Sequence, residues 1–167
     1  PLKKYYLMNK DSEGGLGEGL LYQRASTDIA WRPLLTGEVI SNSAAWYMEY
    51  DPQNSLYSFK NASTGKYLTH PTTGNLCVRV VTTNPSSTEK FQLMPDRTDV
   101  TIEIDGKKNK THGYWFTWES SGSQSMSAAS FSKRRGYGSI SQEPFNYSDD
   151  ATTQQWIILS EDELAAY

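Results

Sequence analysis

A tyrosine followed two residues later by a large apolar side chain occurs three times along the chain, as Tyr5-x-Leu7, Tyr57-x-Phe59 and Tyr114-x-Phe116. That spacing puts both side chains on one face of a strand. Each pair is answered downstream by an aromatic and an aliphatic at the same spacing: Trp46-x-Met48, Phe91-x-Leu93 and Trp156-x-Ile158. From Tyr5 to Trp46, Tyr57 to Phe91 and Tyr114 to Trp156 the spans are 41, 34 and 42 residues. The first two openings close on Asn9 and Asn61 and lead to Gly-x-x-Leu, at Gly17-Glu18-Gly19-Leu20 and Gly65-Lys66-Tyr67-Leu68; the third has Ser123-Gln124-Ser125-Met126 there. Three units of about forty residues, each with roughly four short strands, predict a threefold all-β body.

Composition agrees with strands. Twenty Ser and fifteen Thr with 12 Gly and 7 Pro fit pleated surfaces and turns better than helix interiors. Aromatic residues supply 13% of the chain, so large rings must do much of the core packing. The length, 167 residues, fits one domain. A net charge of −3 gives no overall field for nucleic acid or an anionic membrane, and no apolar run approaches the roughly 18 residues of a membrane span. Cys77 cannot form an internal disulfide and reads as a buried small hydrophobe.

Within the second unit, strands are predicted near 56 to 61, 66 to 70, 76 to 82 and 90 to 94, separated by Thr64-Gly65, Thr73-Gly74 and Asn84-Pro85. Val100-Thr101-Ile102-Glu103-Ile104 alternates cleanly and reads as a hairpin strand in an insertion before the third unit. Ser160-Glu161-Asp162-Glu163 is a capping box ahead of Leu164-Ala165-Ala166. So short a helix is unstable alone, which leads to the expectation that residues 160–167 begin a linker to a neighbouring domain.

Gln154-Gln155-Trp156 resembles the Gln-x-Trp signature of ricin-B-type β-trefoil lectin domains, and Asn61-Ala62-Ser63-Thr64-Gly65-Lys66-Tyr67-Leu68 resembles that family's Asn-x-x-Ser-Gly-Lys-x-Leu turn. The other two endings depart from it, as Ala44-Ala45-Trp46 and Glu89-Lys90-Phe91. The run from Asn146 to Trp156 also looks like the ends of trefoil-like modules in large secreted proteins of gut Bacteroidetes. The resemblance implies a β-trefoil over residues 1–159, with units about 5–50, 56–95 and 112–159. It implies that Trp46, Phe91 and Trp156 fill a shared core while the Gln fixes nearby backbone. It also implies a secreted, periplasmic or cell-surface protein, bacterial in origin.

The family's sugar site uses an Asp directly after Gly-x-x-Leu. Leu21, Thr69 and Ser127 stand there instead, so that galactose pocket does not transfer. Rings outside the repeated phrases are Trp31, flanked by Asp28 and Arg32, and Trp115 and Trp118. By alternation Trp115 points away from Tyr114 and Phe116, while Trp118 shares their face; Trp115 is therefore expected to be the more exposed. Asp28, Trp31, Arg32, Trp115 and Trp118 are the candidate glycan contacts, with core or surface packing as the competing role.

Neither His70 nor His112 has a nearby ligand or triad partner, so no catalytic residue, metal site or cofactor is expected. Gly14-Gly15-Leu16-Gly17-Glu18-Gly19 precedes a strand rather than a helix and reads as a hairpin loop, not a phosphate cradle. Lys107-Lys108-Asn109-Lys110 and Lys133-Arg134-Arg135 read as solvated loops, or contacts for an acidic glycan or partner protein. Asn61, Asn109 and Asn146 head glycosylation acceptor triplets.

The expectation is a non-catalytic carbohydrate-binding module joined to further domains of one polypeptide, holding glycan or polysaccharide by ring stacking and loop hydrogen bonds. No nucleic acid and no membrane insertion are expected. The alternative is a structural or protein-interaction spacer without sugar sites. A trefoil protease inhibitor finds no local support. Buried Trp31 and Trp115 would favour the spacer; rings flanking an open polar groove would favour binding.

Overall fold

The computed structural model describes residues 2–11, 19–34, 38–70, 78–82, 84–119 and 122–166. Cys77, the Thr73-Gly74 turn and most of the glycine-rich loop (12–18) lie outside them. The fold is all-β, with twelve strands in one sheet, one short α-helix and two single-turn 3-10 helices among the described residues. In chain order the strands are β1 (Lys4–Asn9), β2 (Gly19–Gln23), β3 (Ile29–Pro33), β4 (Trp46–Asp51), β5 (Leu56–Asn61), β6 (Tyr67–Thr69), β7 (Arg79–Val81), β8 (Gln92–Ile104), β9 (Lys107–Glu119), β10 (Ser123–Ser132), β11 (Tyr137–Pro144) and β12 (Gln155–Ser160). Helix α1 (Glu161–Ala166) follows.

The threefold trefoil expectation is corrected by the pairing. Seven strands close into an antiparallel ring, β12-β9-β10-β11-β3-β2-β1, with β1 pairing back onto β12 over Tyr5↔Ser160 to Asn9↔Trp156. Strands β4 to β7 continue from β1 as an arm, and β8 pairs only with β9 among the named strands. The stretch 100–104 forms the hairpin strand read for it in the sequence. Strand β8 runs on through an irregularity between Pro95 and Asp99 into the alternating residues 100–104, forming a long hairpin with β9. Its turn is Asp105-Gly106, at φ 51° and 75°, the left-handed pair that a two-residue hairpin demands. A threefold body would need the same pairing in each unit, whereas β5, β6 and β7 of the second lie in the arm outside the ring.

Strands over 56–61, 67–69 and 79–81 fall where periodicity places them. The capping box forms as read: Glu163 N–H donates to Ser160 Oγ at 3.3 Å, and Ser160 N–H to Glu163 Oε1 at 3.0 Å. Leu164 then packs with Tyr6, Met8, Leu20, Ala45, Ile157 and Leu159 on the outer side of the ring, and that tertiary burial holds a helix too short to stand alone.

The main core is shared between ring and arm. Trp46, Phe91 and Trp156, the three ending rings, are fully buried in it together with Leu7, Phe59 and Phe116 from the openings. Phe59, Phe91 and Phe116 meet at centroid distances of 5.1 to 6.3 Å. Asn9 and Asn61 repeat one local device. The Nδ2 group of Asn9 donates to Thr153 O and its Oδ1 accepts from Asp11 N–H; Asn61 does the same with Ser43 O and Ser63 N–H, all at 2.9 to 3.0 Å. Gln154 also bonds backbone on both sides of Phe145, from Nε2 to Pro144 O and from Asn146 N–H to Oε1. No described helix is long and apolar enough to cross a membrane.

Candidate functional site

None of the three tryptophans singled out in the sequence is an open platform. Trp31 is 4% exposed; Trp115 and Trp118 are 0% and 5%. Trp31 lies in the core with its indole pressed on two glycines. A Cβ added at Gly19 or Gly138 would come within 2.2 Å of the ring. Its Nε1 donates to Ala129 O at 2.8 Å. Asp28 and Arg32 do not converge on it. Asp28 pairs with Arg24 at 2.6 Å, and Arg32 pairs with Glu38 and sits over the Tyr22 ring. The space beside Arg32 is ≈10 Å³, about what one water needs.

Alternation gives the direction of Trp115 correctly, since it belongs to neither apolar cluster while Phe116 and Trp118 lie in the main core. The expected exposure is wrong because Phe145 and Tyr147, just past β11, cover that outer face, with centroids 5.6 and 5.1 Å from the Trp115 ring. Its register partner Gln155 and nearby Ser125 are also fully buried. Trp118 stacks on His70 at 4.8 Å and 6°, and lines a slot of only ≈70 Å³ with Glu119 and Ser123. His70 faces the Lys90 carbonyl at 2.9 Å through Nε2. Of the acceptor triplets, Asn61 is buried and bonded through both its Nδ2 and its Oδ1, while Asn109 and Asn146 are exposed.

A concavity lined mainly by apolar and aromatic side chains lies elsewhere, at one end of the core, and it is assembled from the outer members of the repeated phrases; a larger, more polar one of ≈610 Å³ lies between the β8–β9 turn and α1. Going outward two residues along each strand from a buried ring leads to a rim residue on the same face. Trp46 leads to Met48, Phe91 to Leu93 and Trp156 to Ile158, while Phe59 and Phe116 lead back to Tyr57 and Tyr114. These five residues are half-buried against the core, and with Pro95 and Thr111 they line a groove of ≈350 Å³. That volume is within the usual range of ligand clefts, about 300–1,000 Å³.

Tyr57 is anchored by a two-way backbone bridge to Phe91, at 2.8 and 2.9 Å, and is the register partner of Tyr50. Tyr50 is 53% exposed and tilts against it at 4.9 Å, extending the ring surface beyond the groove. Beside this pair, Asp51 accepts hydrogen bonds from Asn54 and Gln53 and pairs with Lys90 at 3.4 Å. The Asn54 amide, then Lys90 and the backbone donors, hold its carboxyl below the usual carboxylate range. Sequence reading missed Tyr57 and Tyr114 because it assigned whole phrases to the core. The outer position in each two-residue pair was the available signal.

No family model and no curated protein matches the chain. Solved structures do resemble it. The Haemophilus ducreyi cytolethal distending toxin aligns at TM-score 0.61 and 16% identity, over 91% of this chain and 80% of that one. The SDF2-like protein of Arabidopsis thaliana aligns at 0.61 and 14%, over 95% and 92%. A GlcNAcα1-4Gal-releasing endo-β-galactosidase from Clostridium perfringens aligns at 0.57 and 14%, over 94% of this chain but 32% of that one. At such identities the likeness is one of fold.

Proposed function

We propose that this chain is a non-catalytic carbohydrate-binding module whose contact surface is the groove edged by Tyr57 and Tyr114 and extended by Tyr50. The observation that carries the reading is the groove itself, ≈350 Å³ and lined by two tyrosines and aliphatic side chains. Pyranose rings present C–H faces that pack on tyrosine, and the phenol hydroxyls stay available to sugar hydroxyls. The endo-β-galactosidase supports the modular part of this reading, because a body of this fold makes up about a third of an enzyme that acts on a glycan. In the proposal the module is one part of a secreted or surface polypeptide. Its single site is weak, near millimolar or about 4 kcal/mol, and gains from tethering.

A second reading, the structural or protein-interaction spacer, is favoured by one specific observation: Trp31, Trp115 and Trp118 are all buried. A glycan array probed with the wild type and with Tyr50→Ala separates the two. Binding that Tyr50→Ala weakens supports the groove, and no binding to any glycan class leaves the spacer.

A further inference from the structure

Resting on the glycan-binding reading, we infer that the groove takes an electrically neutral polysaccharide chain, lying along it over more than one sugar ring, rather than an acidic glycan or a single terminal sugar.

Charge comes first. The seven lining residues, with Tyr57, Tyr114 and Thr111 as their polar members, include no Asp, Glu, Lys or Arg. Among the described side chains, the ionised groups at the border are closed into pairs. Lys90 meets Asp51 at 3.4 Å, and Lys10 meets the buried Asp96, next to Pro95, at 2.9 Å. Glu49 stands on the opposite face of β4 from Met48 and Tyr50. Lys110 and His112, on either side of Thr111, each have an interaction partner of their own. A uronate, sulfate or sialate in the groove would lose hydration with no unpaired cation in the lining to receive it.

Shape comes second. Tyr50, Tyr57 and Tyr114 spread their rings over β4, β5 and β9, with the 4.9 Å Tyr50–Tyr57 contact carrying the aromatic surface out of the groove. One pyranose cannot cover rings on three strands, whereas a chain lying lengthwise meets them in succession. The concavity opens to solvent, and Tyr50 beside it is exposed, so a chain can continue past its edge. The basic stretches Lys107-Lys108-Asn109-Lys110 and Lys133-Arg134-Arg135 lie outside the lining and contribute no cation to it.

Affinity electrophoresis in gels containing xylan, mixed-linkage β-glucan, galactan, polygalacturonate or chondroitin sulfate tests the inference, followed by titration with an oligosaccharide ladder of whichever chain retards the protein. The expected result is retardation by a neutral polysaccharide that is unchanged at high salt, since ring stacking, unlike charge pairing, is not screened. Affinity should rise about tenfold from mono- to trisaccharide, and Tyr50→Ala, which alters an exposed side chain, should lower it about fivefold. Thr111→Lys should add salt-sensitive retardation by polygalacturonate. Retardation of the wild type only by acidic polymers, or a monosaccharide binding as tightly as the trisaccharide, overturns this inference and leaves glycan binding standing. No retardation by any polymer, with a folded spectrum, overturns both.

Discussion

Tyr50 and Tyr57 stand directly opposite one another in the β4–β5 pair, ring centroids 4.9 Å apart, one ring in solvent and the other on the wall of the groove. Removing the outer ring leaves the core untouched. Tyr50→Ala should therefore shift the melting temperature little while weakening glycan binding by about 1 kcal/mol, the value of one ring contact, or roughly fivefold. Calorimetric titration and a melt on one protein batch check this; a large melting shift would show that Tyr50 is structural.

The buried indoles differ in one atom. Trp156 Nε1 donates to Met126 O at 3.0 Å, whereas Trp115 Nε1 has no hydrogen-bond partner among the described residues. Both Trp→Phe changes lose packing volume, but only Trp156→Phe leaves a buried carbonyl without its donor. Denaturant melts should show Trp156→Phe costing about 1–2 kcal/mol more than Trp115→Phe. Equal losses would mean that Trp115 Nε1 is bonded after all, for instance by an internal water.

Trp31 sits against Gly19 and Gly138 so closely that one added carbon at either glycine meets the ring at 2.2 Å. Gly138→Ala should destabilise by about 1–3 kcal/mol through overpacking. Combining it with Trp31→Leu should recover part of that loss, because the clash disappears with the indole. Strict additivity in a double-mutant cycle would contradict this packing.

The Asp51 carboxyl titrates below its ordinary range, held there first by Asn54 and also by Lys90. A folded-state pKa below the unfolded one contributes stability above the unfolded value, about 3.9, and that contribution disappears as the pH falls through the folded value. Wild type minus Asp51→Asn should therefore be positive at neutral pH and shrink on acidification below about pH 4. A difference that stays flat across that limb would show that Asp51 gains nothing from its partners.

What could be read from the sequence follows from how local each signal is. The capping box at Ser160 and the strand over 56–61 depend on neighbours two or three residues apart, and both are found; the burial of Trp46, Phe91 and Trp156, which the family resemblance implied, is found as well. The face of Trp115 was equally legible, being a matter of alternation. Its exposure was not, because the cover comes from Phe145 and Tyr147, thirty residues away. The threefold layout failed for a related reason. A repeat of short phrases specifies local devices such as the matching bonds of Asn9 and Asn61, but strand pairing decides which of them close into a ring and which extend as an arm. The groove needs outer residues from five strands at once, so no single segment announces it.

An amide-detected NMR titration with a neutral oligosaccharide tests the central claim most directly. Shift changes should centre on Met48, Tyr57, Leu93, Thr111, Tyr114 and Ile158, residues far apart in sequence that meet only at the groove. Changes confined to the surroundings of Trp31, or to Phe145 and Tyr147, would contradict the assignment of the site, and a spectrum unmoved by every glycan would contradict the function.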